Sequence, residues 1–193
     1  MLPLDGVTVV ALEQAVAGPF ATRHLAGLGA RVIKIERPEA SDFARGYDTA
    51  VNGLAGYFVW LNRSKESMTL DLKAPAAQDI LHRLLAEAVV FLHNLAPWAI
   101  ERVGFGSEAL RERLPHLIQC GISGYGVSGP YAQKKAYDLL IQCETGVLSV
   151  TGTPEVPAKA GISLADGAPG QVLNGVRARS YRALPAGGYR AVH

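Results

Sequence analysis

Two cysteines in 193 residues are too few for a disulfide framework, and Cys120 and Cys143 stand inside apolar segments with neither a CxxC nor a Cys/His spacing. Both are expected to be buried thiols rather than metal ligands. Long apolar runs are also missing: the stretches at 7–12 and 88–92 are each broken within a few residues, far short of a bilayer span. The N-terminus has no basic region followed by an apolar core, so no secretory signal is expected and the chain reads as cytoplasmic. Acids are absent from residues 167–193, which hold four Arg and no Lys. The formal charge of +2 therefore conceals a body, residues 1–166, with 15 basic and 17 acidic side chains. That body carries no basic stripe interleaved with aromatics, which argues against a nucleic-acid partner.

What is present is a chain of globular composition, 49% hydrophobic and 19% charged, long enough for one well-buried domain. Residues 7–12 (VTVVAL) form a nearly continuous β-branched run, which suits a strand buried on both faces. A turn at 13–19 follows, then a helix over 20–28 with Pro19 in its first turn, closed by Gly29. Residues 30–36 read as a second strand, and strand, helix, strand in about thirty residues is a βαβ unit with parallel pairing. Residues 41–56 are expected to form a loop. Short extended or buried segments are expected at 57–61 and 67–72, and a helix opened by Pro75 with Ile80, Leu81, Leu84 and Leu85 on its apolar face. A strand over 89–92, helices over 97–102 and 107–113, a strand over 117–122 and a helix over 136–147 complete the body. In that last helix Leu139, Leu140, Cys143 and Val147 share one side. The pattern is an α/β fold with an open, mostly parallel sheet and helices on both faces.

In such folds ligands bind beyond the carboxyl ends of the strands, where the turn after the first strand offers free backbone N–H groups. Arg37 falls on that edge, either to meet a phosphate or as a solvated strand-end charge. Residues 124–129 spell GxGxxG after a strand, but Pro130 and the polar 133–135 follow where a dinucleotide fingerprint needs a helix. A loop that brings backbone close to a ligand is the simpler reading. Asp138 suits the positive end of its helix dipole. Asp166 closes the apolar run GISLAD (161–166) and reads by itself as a helix cap or a chemical group.

Several ordered strings carry a resemblance: AGPFATRHLAGLGARVIKIERP (17–38), NRSKESMTLDLK (62–73), HNL (93–95) followed by ERVGF (101–105), SGYGVSGPY (123–131) and GISLAD. Over residues 3–166 the chain resembles the class III CoA-transferases, the family of formyl-CoA transferase and the α-methylacyl-CoA racemases. The resemblance implies the Rossmann-like large domain of that family, with residues 1–166 as a CoA-binding α/β domain. It implies Asp166 as a carboxylate nucleophile. It maps contacts to coenzyme A, bound as substrate rather than as a resident cofactor, onto Val16, Ala17, Arg37, Leu70, Asp71, Leu72, Lys73, Asn94, Leu95, Arg102, Lys135, Ala136, Tyr137 and Asp138. Arg and Lys suit the phosphates of such a ligand. The partners implied are an acyl-CoA, a small carboxylic acid and, for the full-length family, a second copy in an interlocked homodimer.

Two positions depart from the family pattern. Val16 stands where formyl-CoA transferase carries Gln, which argues against an oxalate-type substrate. Tyr137 stands where the racemases carry an acid/base His, which argues for transfer over racemisation. After Asp166 the family continues into a long apolar helix, whereas residues 167–193 are rich in Arg, Gly, Ala and Pro. An out-of-frame reading of a truncated transferase is expected there, with impaired activity. An inactive CoA-binding remnant, an acyl-CoA racemase and a dinucleotide-dependent oxidoreductase are the other readings.

Overall fold

The computed structural model describes residues 2–39 and 41–168. Its centre is a five-stranded sheet in the order β3-β2-β1-β4-β5. The strands are β1 (Thr8–Leu12), β2 (Arg31–Glu36), β3 (Glu66–Thr69), β4 (Val90–His93) and β5 (Ile118–Gly121). Every neighbouring pair is parallel, with Val9 opposite both Val32 and Val90. Crossovers are made by α1 (Ala17–Gly27), then α2 (Gly56–Asn62), α3 (Pro75–Glu87), and the pair α4 (Pro97–Arg102) and α5 (Ser107–Arg113). Beyond the sheet lie α6 (Asp138–Glu144) and the single turn α7 (Leu164–Gly167).

Alternation along the central strands splits the core in two. Val10, Leu12, Ile33, Ile35 and Phe91 face Leu81, Leu85, Ile100 and Leu110 on one side. Val9, Val32, Val90 and Ile118 face Leu25 and Ala26 of α1 on the other. Helices thus cover both faces, as the apolar runs at 7–12 and 30–36 predict. Gly29 ends the first crossover at φ +103°, and a Cβ there would lie 2.6 Å from Leu2 Cβ, so only glycine fits that turn. Among the described residues no helix is long and apolar enough to cross a membrane.

Four expectations need correction. Residues 57–61 are not extended but helical, within α2. Their aromatic, unperiodic sequence favours strand locally, but packing of Trp60 against Phe20 of α1, ring centroids 5.5 Å apart, overrides propensity. Ile80 is exposed, and α3 buries Ala77, Leu81 and Leu85 instead. Helix α6 is shorter than expected and turned the other way: Leu139, Leu140 and Cys143 are exposed, whereas Gln142 is buried. Cys143 is therefore not a buried thiol, and Cys120 is only half-buried. The out-of-frame reading of 167–193 falls, beyond residue 168, outside the described residues.

Candidate active site

Strand order reverses at β1, since β2 and β3 extend to one side and β4 and β5 to the other. The carboxyl ends of β1 and β4 therefore flank the crevice in which open α/β sheets bind ligands. Asn94, the residue after β4, pins the turn after β1. Its Oδ1 accepts from Gln14 N at 2.9 Å and its Nδ2 donates to Gln14 O at 2.7 Å. The next residue, Ala15, adopts φ +61°, a left-handed conformation that costs a non-glycine residue energy unless its surroundings impose it. Here they do: Ala15 N donates to Asp42 Oδ1 at 3.0 Å.

Behind this turn lies a layer of buried charge. Lys34 Nζ reaches Asp42 Oδ2 at 2.5 Å and Asn62 Oδ1 at 2.9 Å. Lys65 Nζ reaches Glu13 Oε1 at 2.7 Å and Pro19 O at 3.0 Å. Burial lowers the Lys65 ammonium to about 8, with the Glu13 carboxylate opposing that shift. Burial pushes the Glu36 carboxyl up, but the two-toothed bond from Arg45, the Asp42 N–H and the Lys34 charge outweigh it and leave Glu36 below the ordinary range. These pairs join the loop at 42–47, α2 and β2 to the turn at 13–16.

Among the described residues, two cavities adjoin this turn. The smaller, about 140 Å³ and mostly apolar, is lined by Arg37, Leu70, Asp71, Leu72 and Lys73, with Gln14 and Leu95. The larger, about 480 Å³, gathers Ala17, Asn94, Leu95, Lys135, Ala136, Tyr137, Asp138 and Asp166. Leu95 belongs to both. Thirteen of the fifteen residues singled out in the sequence thus line one cavity or the other. Val16 does not: it is buried just before α1. Arg102 is exposed, its guanidinium 4.5 Å over the ring of Trp98, which does line the larger cavity.

Asp166 is not at the end of a strand. It lies within α7, and Ser163 at the start of that turn makes no side-chain cap. Asp138 does so from α6: its Oδ1 accepts from Ala165 N at 2.9 Å and from Asp166 N at 3.2 Å. Burial first, and then the charge of Asp138, raise the Asp166 carboxyl above its ordinary range. Tyr47 approaches from the 42–47 loop, its hydroxyl pushed up by burial and by Asp42 and Asp166.

The GxGxxG segment is a loop, as expected, with Gly126 at φ +78° and Gly129 at φ +91°. Its first glycine is needed for contact: a Cβ on Gly124 would sit 2.2 Å from Ala136 Cβ. Gly124→Ala is therefore expected to push residues 124 and 136 apart and lower stability by about 1–3 kcal/mol. Urea unfolding checks this, and an unchanged midpoint would refute it. Sequence reasoning did not single out Gln14, Asp42, Tyr47 or Trp98. The available signal was slight, a Trp four residues before an Arg at 98 and 102 on one short helix.

Comparison with known proteins follows this geometry. The model of a family described as CoA-transferase family III matches residues 4–185. Succinyl-CoA:glutarate CoA-transferase of Mus musculus is 38% identical over 172 residues, covering 88% of this chain and 39% of the relative. Acetyl-CoA:oxalate CoA-transferase of Acetobacter aceti is 39% identical over 166 residues, covering 85% of this chain and 43% of the relative. The crystal structure of a CAIB/BAIF family protein from Brucella suis superposes with a TM-score of 0.87 at 36% identity, over 94% of this chain and 50% of that one. The chain spans about two fifths of the length of these curated relatives.

Proposed function

The chain belongs to CoA-transferase family III, and from that membership we propose that it supplies the CoA-binding domain and the nucleophile of an acyl-CoA:carboxylate CoA-transferase. The observation that carries this reading is the convergence of Asp166 with Asn94, Leu95 and 135–138 in one cavity, adjoining a second that holds Arg37 and Lys73. An apolar slot beside two cations suits the adenosine and phosphate end of coenzyme A. Leu95, common to both cavities, gives the pantetheine arm a path to Asp166.

The chemistry follows from a carboxylate in that position. Asp166 attacks the thioester carbonyl, the carbon–sulfur bond breaks, and CoA leaves as thiolate, giving a mixed anhydride. The thiolate then attacks the aspartyl carbonyl, the donor acid departs as carboxylate, and an aspartyl-CoA thioester remains. The acceptor carboxylate repeats the two steps in reverse order and frees Asp166. Covalent capture divides one acyl exchange into easier steps, provided water is excluded. Asp166 is only half-buried, and Ile162, four residues before it, is an apolar side chain left 65% exposed. Turnover by this chain alone is accordingly expected to be slow, with the homodimer of the full-length family closing the site. Tyr137, in the cavity wall, cannot serve as the imidazole base of a racemase.

Incubation with an acyl-CoA and hydroxylamine, followed by peptide mapping, tests the assignment. Hydroxylamine converts an aspartyl anhydride or thioester to a hydroxamate, and that mark is expected on Asp166 at substoichiometric yield. Binding of CoA with no mark would identify an inert CoA-binding remnant. A mark on another acid would move the nucleophile.

A further inference from the structure

Asp138 has a more specific task than a contact with ligand or a helix dipole. Its carboxylate makes three bonds, all to this chain. One oxygen accepts from Ala165 N and Asp166 N, and the other accepts from Gln142 Nε2 at 2.6 Å. Gln142 is 1% exposed and one turn further along α6, so the Asp138 side chain is held from behind while it holds α7 in front. Residues 139–165 separate the two acids in sequence, and α7 is a single turn without a cap of its own. These bonds tie the backbone of Asp166 to α6.

We propose that Asp138 is the positioning residue for Asp166: its carboxylate fixes the Ala165 and Asp166 amides and thereby sets the Asp166 carboxyl in the cavity wall. The assignment rests on the reading of Asp166 as the nucleophile. It also gives Asp138 an electrostatic effect, because the two amides that it holds bring a like charge near the carboxyl that must attack. The groups around Asp166 are few. Asp138 faces it from α6 and Tyr47 from the 42–47 loop; Lys134, Lys135, Tyr125 and Tyr137 line the same cavity, and α1 presents the uncharged Ala17.

Two variants separate position from charge. Asp138→Asn keeps an acceptor oxygen for both amides. Its new NH₂ group would meet the Gln142 donor, but Gln142 Oε1 has no hydrogen-bond partner, so rotation of that amide restores the bond. Asp138→Ala removes the acceptor altogether. With hydroxamate formation at Asp166 as readout, Asp138→Ala is expected to lose about 10²-fold on the plateau above the low-pH limb, the cost of a misplaced reacting group. Asp138→Asn is expected to stay within a few-fold of the parent on the plateau. Its low-pH limb should move to lower pH, because loss of the neighbouring charge lets Asp166 ionise sooner. A purely structural role would not move that limb.

The titration of the ¹³C-labelled Asp166 carboxyl, followed by NMR in the parent and in Asp138→Asn, needs no acyl donor. Parent-like hydroxamate yield in Asp138→Ala, or an equal loss in both variants, would overturn the positioning role, as would an unchanged Asp166 titration in Asp138→Asn. Absence of hydroxamate in the parent would overturn the nucleophile reading, and with it the positioning role for transfer.

Discussion

Lys34→Met is expected to lower the stability of this chain by about 3–5 kcal/mol, a large part of the 5–15 kcal/mol that holds a typical domain together. Lys34 is 1% exposed on β2, on the same face as Val32 and the buried Glu36. Its ammonium is tolerated there because Asp42 and Asn62 meet it at 2.5 and 2.9 Å. Methionine fills the same space but leaves the Asp42 carboxylate buried without its counter-charge, and that unpaired charge is what destabilises. The loss should reach the 13–16 turn as well, since Asp42 Oδ1 also holds Ala15 N and Ala44 N. Pairing Lys34→Met with Asp42→Asn should restore most of the loss, because a neutral amide can still accept from both amides. Urea unfolding of the two variants decides the matter. A single mutant within about 1 kcal/mol of the parent would refute the claim, and so would a double mutant no better than the single.

That buried layer was the part of the molecule least legible in the sequence. Strands β1 and β2 were plain, because runs such as VTVVAL are what a strand covered on both faces requires. The helix over 97–102 and that over 107–113 were bounded by Pro97 and by Ser107 with charged residues after it, and both end where expected. Nothing in the sequence pairs Lys34 and Lys65 with an acid, since their partners Asp42 and Glu13 lie 8 and 52 residues away and only the fold brings them together. Helix α6 misled for the opposite reason. Leu139, Leu140 and Cys143 form an apolar stripe that ought to be covered, yet here they are exposed, while the polar Gln142 turns inward to hold Asp138. An apolar stripe shows that a face is suited to burial, not which partner buries it. Most of the residues that the resemblance singles out line two neighbouring cavities. The bonds from Asn94 to Gln14, and from the Ala165 and Asp166 amides to Asp138, are encoded by no spacing.

Replacement of the proposed nucleophile is expected to have the largest effect on chemistry and a small opposite effect on stability. Asp166→Asn keeps the size of the side chain but cannot form the anhydride, so hydroxamate at this position should fall by more than about 10⁴-fold, to background. The stability change follows from the direction of the carboxyl shift. Burial and the nearby Asp138 raise the folded-state value of Asp166 above its ordinary 3.8. Between those two values the folded state binds more protons than the unfolded one, so stability falls as pH rises through that window. The group's full contribution is present below the unfolded value and is lost once the carboxyl ionises in the folded state. At pH 7 the parent therefore carries an ionised, half-buried acid beside another, a burden that the neutral amide lacks. Because solvent reaches the pair, the gain from Asp166→Asn at pH 7 is screened and should be less than about 1 kcal/mol. It should shrink toward nothing as the pH approaches 3.8. Thermal unfolding of both proteins across that range is the measurement. A variant that is less stable than the parent at pH 7, or a difference independent of pH, would show that Asp166 is held in place for structure rather than kept under strain for reaction.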